Sequence, residues 1–141
     1  MEIRRAQAAD ADAVFAMLER FAMSYEPDHS AFAPLFAAMI DSQDVALLVA
    51  DESGKLTGYV MAVEFSTLFA NGVVAQIEEL FVKEANRCAD TGRALVAAVV
   101  EWARRCGAVE VTVPTRRAGP YYERLGFKRT AEYYHTVLAQ V

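Results

Sequence analysis

The chain has 141 residues, 55% of them hydrophobic, with a formal net charge of −5 and a pI near 5.0. That length suits one domain over residues 1–141, and the apolar share is enough for a core, which excludes a disordered chain. The acidic balance argues against a nucleic-acid partner, whose phosphates need broad neutralisation, and leaves only local basic pairs such as Arg116 and Arg117.

Glu2 to Arg5 reads as a first short strand. Ala8 to Met23 follows with helical spacing: Val14, Phe15, Leu18, Phe21 and Ala22 share one face, and Asp10 or Asp12 suits its N-terminal turn. Tyr25-Glu-Pro-Asp-His-Ser30 breaks the pattern. A second helix is predicted from about Ser30 to Asp41, with Ser30 as its cap and Pro34 near its first turn. Its apolar face carries Phe32, Leu35, Phe36, Met39 and Ile40. Val45 to Ala50 is a buried strand, Asp51 to Gly54 a turn, and Leu56 to Phe65 the return strand. Gly58 within it signals a bulge or a close backbone approach. Ser66 to Gly72 is a loop, and Val73 to Val82 the next strand.

A polar loop then leads into the main helix, Thr91 to Cys106. Leu95, Ala98, Val99, Trp102 and Ala103 line its apolar face, and Gly107 ends it. Val109, Val111 and Val113 alternate with polar residues in a strand stopped by Pro114. Pro120 opens a short helix through Leu125. Gly126 ends it, and Phe127 starts a final hairpin that includes Tyr133 to Leu138. The order predicts an α/β (α+β) fold, with a mixed, mostly antiparallel central sheet and helices on both faces.

Cys88 and Cys106 form no CxxC or Cys/His spacing, so no metal is expected and a reduced, cytoplasmic setting is the plain reading. The first residues are charged and lack a secretory apolar region, and the apolar runs are too short to span a bilayer, so no membrane partner is expected. His29 and His135 are isolated. Cys88 has no His near it in sequence to activate it as a nucleophile.

The chemistry concentrates between Gln76 and Leu95. An apolar strand with adjacent carboxylates, Glu78 and Glu79, feeds a helix through a loop that carries Arg87 and closes on Gly92. A helix start offers free N–H groups and the positive end of the helix dipole, so it can hold a phosphate. The carboxylates lie about one loop away as candidate general bases.

This pattern resembles the GNAT superfamily of acyl-CoA-dependent N-acyltransferases, over nearly the whole chain in element order and most densely from Gln76 to Phe127. In that family a strand ending in Val precedes a loop of the form Arg-x-x-Gly-x-Gly/Ala. Here Val82 ends the strand, Arg87 opens the motif and Gly92 closes it, followed by Arg93-Ala-Leu95. The family's Tyr-x-x-x-Gly-Phe is similar to Tyr122-Glu-Arg-Leu-Gly-Phe127. The resemblance implies that Leu80, Phe81 and Val82 splay from the neighbouring strand to pair with a pantetheine arm. It implies that Arg87 and the stretch Cys88, Ala89, Asp90, Thr91, Gly92 and Arg93 hold the pyrophosphate of acetyl-CoA, with Thr115 near the family's frequent Asn. Direct acetyl transfer to a primary amine of a small molecule or peptide would follow, with Tyr122 as acid and Glu78 as the favoured base. Glu79 would face the other side of the strand. Dimers are common among such proteins, so a homodimer is a further expectation.

Asp90 departs from the motif, standing where the family has its first loop glycine. A carboxylate at a helix start is a good N-cap, would engage the N–H groups that a phosphate uses, and would repel the phosphate. Two readings therefore stand: an N-acetyltransferase, and a non-catalytic binding or regulatory protein of the same fold with weakened CoA binding. A nucleotide-phosphate binder of another α/β type is disfavoured, because neither GxxxxGK[ST] nor GxGxxG occurs.

Overall fold

The computed structural model describes residues 1–21, 25–87 and 90–139. Among them, strands β1 (Glu2–Arg5), β2 (Val45–Glu52), β3 (Lys55–Thr67), β4 (Gly72–Val82) and β5 (Val111–Thr112) form one sheet in sequential order. The first four pair antiparallel, and β5 runs parallel to β4 through Ala75↔Val111 and Gln76↔Thr112. A parallel return needs a crossover, and helix α3 (Thr91–Arg105) supplies it.

The strand pattern explains the layers. Along β2, Ala46, Leu48 and Ala50 face the α3 cluster, whereas Leu47 and Val49 face the cluster beneath α1 (Ala11–Phe21) and α2 (His29–Asp41). Both faces of this strand are covered, so its sequence is an unbroken apolar run rather than an alternation. On the α3 side, Leu95, Val99, Trp102 and Ala103 pack with Ala62, Ala75 and Ile77, and α4 (Gly119–Arg124) adds Tyr122. On the other side, Val14, Met17 and Phe36 pack with Tyr59, Met61 and Phe81.

The ends of elements differ from expectation in instructive ways. The first helix opens with a 3-10 turn at Ala8–Asp10, and Asp10 accepts from Gln7 N at 2.8 Å in a capping box. The expected end of that helix at Ala22 and Met23 lies outside the described residues. The cap of α2 is Asp28 rather than Ser30: its carboxylate accepts from Ser30 N at 3.3 Å and from the Ser30 hydroxyl at 2.8 Å.

Gly58 meets both readings of its position. A register shift lies beside it, between Ala50 and Asp51, and a Cβ there would meet the Phe81 carbonyl at 2.8 Å. The strand expected over Val109 to Val113 contracts to Val111–Thr112. The hairpin expected from Phe127 through Leu138 does not form. Residues 128–138 carry no helix or strand, and Tyr133, Tyr134 and Leu138 are exposed. A two-residue β5 gives a returning chain almost no ladder to extend.

Candidate active site

The site is built around β4, and a bulge decides which way its carboxylates face. In the β3–β4 register Met61 lies opposite Glu79 but Ala62 lies opposite Ile77, so Glu78 is the extra residue. Ile77 packs into the α3-side core, while Glu79 lines a cavity on the α1/α2 side with Met61. Two residues apart on a regular strand, they would share a face. The bulge reverses the parity, so Leu80 and Val82 return to the α3 side and Phe81 to the other.

The two carboxylates therefore differ. Glu78 is exposed and accepts a hydrogen bond from Gln76 Nε2. Glu79 is half-buried and accepts from the Tyr59 hydroxyl at 2.9 Å, and Tyr59 itself is 1% exposed. Burial raises the pKa of the Glu79 carboxyl, the Tyr59 hydrogen bond lowers it, and the Glu78 charge raises it, with a net upward shift. The cavity occupies about 190 Å³ and is lined largely by apolar side chains, among them Val14, Phe32 and Met39. Sequence reasoning missed Tyr59; its signal was a lone phenol inside an otherwise apolar strand.

Beyond Gln76 and Thr112 the β4–β5 ladder ends. Leu80, Phe81 and Val82 pair with Val60, Tyr59 and Gly58 of β3, and their other edge has no strand beside it among the described residues. The ladder thus stops short of the residues at which the resemblance implied a splay. An open strand edge presents N–H and C=O groups that an amide-bearing arm can pair with.

The loop after β4 leads to the start of α3. Arg87 is exposed, and its Nε donates to the Val82 carbonyl at 3.1 Å, which folds the loop back on the strand end. Cys88 and Ala89 lie outside the described residues. Asp90 has φ 59°, in the left-handed region where glycine is favoured. Its side chain makes no cap hydrogen bond, is 86% exposed, and lies 3.9 Å from Arg93 Nε. The expectation that Asp90 caps the helix is thus corrected. A side-chain cap needs an extended Ncap backbone, and the left-handed turn carries the carboxylate away.

The first turn of α3 fits a pyrophosphate on three observations. The Asp90 carboxylate makes no cap hydrogen bond to its N–H groups. The buried Thr91 hydroxyl has no hydrogen-bond partner among the described residues. Gly92 is buried, and a Cβ on it would displace the Tyr121 hydroxyl, so glycine lets that phenol lie against the helix start. Tyr121 is a second residue that sequence reasoning passed over. Arg93 is exposed beside it, with its guanidinium free to swing from Asp90 toward an anion.

Tyr122 is buried, with its ring edge-on to Tyr121 at 5.3 Å and to Phe127 at 5.6 Å. Burial pushes its pKa up to about 12, so the phenol keeps its proton through neutral pH. Thr115 is exposed, and its Oγ1 accepts from Ala118 N at 3.0 Å, which shapes the turn into α4 and leaves the O–H proton to give. The structure therefore gathers Leu80 to Val82, Thr91, Gly92, Arg93 and Tyr121 around the open edge of β4 and the start of α3. It separates Glu78, on the surface, from Glu79, in the cavity. Among the described residues no group of three His, Cys, Asp or Glu is arranged to hold a metal, and no helix is long and apolar enough to cross a membrane.

Comparison with solved structures returns the same architecture. A transcriptional regulator from Bacillus halodurans C-125 superposes with a TM-score of 0.87 at 23% identity, covering 97% of this chain and 99% of its own. An acetyltransferase from Trypanosoma brucei gives 0.82 at 22% identity over 97% and 99%. Glucosamine-6-phosphate N-acetyltransferase from Arabidopsis thaliana gives 0.86 at 17% identity over 98% of each chain. None of the curated proteins matches the sequence. The profile described as the acetyltransferase (GNAT) family matches residues 11–127, which takes in every element from α1 to the Gly-Phe after α4, and the chain belongs to that family.

Proposed function

We propose that the protein is an acetyl-CoA-dependent N-acetyltransferase that acts on a primary amine of a small molecule or peptide, with Glu79 as general base in place of Glu78 and Tyr122 as general acid. The observation that carries this reading is the pair of openings on β4: an unpaired strand edge leading to a helix start that the Asp90 side chain does not cap, and a cavity with one semi-buried carboxylate. A structure of the related AAC(6′)-Iy with a CoA bisubstrate analogue supports the choice of acyl donor.

Acetyl-CoA supplies the acyl group as a thioester. The residues of the chain supply the rest. An amine arrives as an ammonium and must lose a proton to become nucleophilic. Burial makes the Glu79 carboxyl of the cavity wall more basic, which narrows its gap to the amine. Tyr59 holds its carboxylate in place by donating to Oε1. Tyr122 retains its proton and can give it to the departing sulfur, entering from the α3 side while Glu79 enters from the α1/α2 side. Thr91, Gly92 and Arg93 would hold the phosphates, with Arg87 closing the loop. The free thiol of Cys106 agrees with a cytoplasmic setting.

Calorimetric titration with acetyl-CoA, followed by rates on amines, tests the proposal. Glu79→Gln is expected to lower kcat about 100-fold or more and to remove the acid limb of the pH profile. That limb should lie above the ordinary carboxylate range, since the Glu79 pKa is raised. Glu78→Gln should stay near the parent; the reverse ranking would assign the base to Glu78. Asp90→Gly should tighten acetyl-CoA modestly by removing a repelling charge. The second reading, a CoA-poor binding protein, required Asp90 to occupy the helix start. Its outward carboxylate favours the enzyme.

A further inference from the structure

We infer that the acceptor is a small monoamine carrying an aromatic or branched alkyl group, and neither a polyamine, a sugar phosphate nor a peptide. The inference rests on the transferase reading above and names the substrate class of the same site. The cavity beside Glu79 is walled by Val14, Leu18, Phe32, Phe36, Met39 and Met61, from both helices and the sheet. Among its described lining residues the polar side chains are Glu79, Tyr59 and Asp28.

Each polar group has a defined commitment. Tyr59 donates to Glu79. Asp28, at the exposed rim, caps α2 through Ser30 N and the Ser30 hydroxyl. Glu79 is the half-buried carboxylate of the wall, while Asp28 lies at the rim with both oxygens engaged by Ser30. One ammonium is thereby matched, and everything else on the ligand must tolerate an apolar wall. A sugar's hydroxyls or a peptide's amides would be buried without partners, which is costly. Among the described residues no Lys, Arg or His lines the cavity, so a phosphate or carboxylate on the acceptor would face Glu79 without a counter-charge. The fold neighbour from Arabidopsis is by its name a sugar-phosphate enzyme; the described lining of this chain's cavity holds no cation to pair with a phosphate.

Size argues in the same direction. About 190 Å³ is well beyond what one water needs, yet below the range usual for drug-sized ligands. It suits a single ring or a short branched chain. Leu35 lines the cavity and is 57% exposed, so its side chain reaches both the apolar space and solvent.

The test separates this inference from the transferase reading. Acetyl-CoA titration alone judges the latter. For the former, phenethylamine, isopentylamine, spermidine, glucosamine 6-phosphate and a short peptide are titrated against the full chain, with and without saturating CoA. Phenethylamine and isopentylamine are expected to bind at least about tenfold tighter than the other three. Leu35→Lys, a change at an exposed site that leaves the core intact, should weaken them about tenfold through repulsion of the ammonium. Equal or tighter binding of spermidine, the sugar phosphate or the peptide overturns the inference. So does failure of both apolar amines to bind in either condition, whatever acetyl-CoA does. If acetyl-CoA binds and only a polar amine is acetylated, the transferase reading stands and the acceptor class assigned here falls.

Discussion

The two faces of one sheet have been put to different uses. On the α3 face, Leu95 and Val99 are fully buried against Ala46, Ala50, Val60, Ala62 and Ala75, and the strands there carry mostly small residues. Small strand residues let the long helix approach closely, and the layer is sealed. On the α1/α2 face the strands carry Leu47, Tyr59, Met61 and Phe81, and the helices stand off far enough to leave the cavity that ends at Glu79. The contrast teaches that the site is not placed where the core is weak. The sealed face holds the sheet rigid, and the rigid sheet holds a carboxylate and a phenol on its opposite side in a fixed relation.

Breaking the sealed face should cost most. Leu95→Ala removes a fully buried side chain that packs beside Gly58, and is expected to destabilise by about 2–5 kcal/mol in chemical denaturation. Leu35→Ala, on the open face, should change stability by less than about 0.5 kcal/mol, since that side chain is already mostly in water. Equal losses would mean that the cavity is closed in solution and the contrast false.

A smaller effect is expected at the sheet margin, where Arg4 bridges β1 to the first helix. It reaches Asp10 with both terminal nitrogens, at 2.8 and 3.0 Å, and Asp51 with Nε at 3.0 Å. The Arg4 hydrogen bonds hold the Asp10 carboxyl below the usual carboxylate range. A depressed pKa means stability that is present above the unfolded value near 4 and is lost as pH falls through the folded one. Asp10→Asn should therefore cost about 2 kcal/mol at pH 7, with the gap closing toward strongly acid pH.

The smallest expected effect has the opposite sign, and it sharpens the comparison. Glu79 carries a raised pKa, so its neutral form is favoured in the folded chain. Its contribution is fully present below the ordinary carboxylate range and is lost as pH rises through the folded pKa. Glu79→Gln keeps an acceptor for Tyr59 and removes the buried charge. Its Tm should match the parent near pH 4 and exceed it modestly by pH 8, while turnover falls. A variant less stable than the parent at pH 8 would show that Glu79 is structural rather than held at a cost for chemistry.

Much of this was legible in the sequence because it depends on local pattern. The unbroken apolar run Val45 to Ala50, the 3.6-residue stripe of α3 and Pro120 at the start of α4 each follow from periodicity or backbone chemistry within a few residues. The layer order follows in turn, and the family was legible from its motif residues, Arg87 to Gly92 and Tyr122 to Phe127. The features that only the tertiary structure decided are those set by relations between distant segments. The bulge at Glu78 arises from the register of β4 on β3, and it turns Glu79 rather than Glu78 into the cavity. Tyr59 becomes the partner of Glu79 because hairpin pairing brings residues 20 apart in sequence to 2.9 Å. Asp90 looked like a cap by residue type, but the loop imposes a left-handed backbone that sends its carboxylate outward. The terminal hairpin had a strand-like composition and found no edge long enough to pair with. Periodicity names the face a residue shares with its neighbours in sequence; which side of the sheet that face meets depends on register, and register depends on the partner strand.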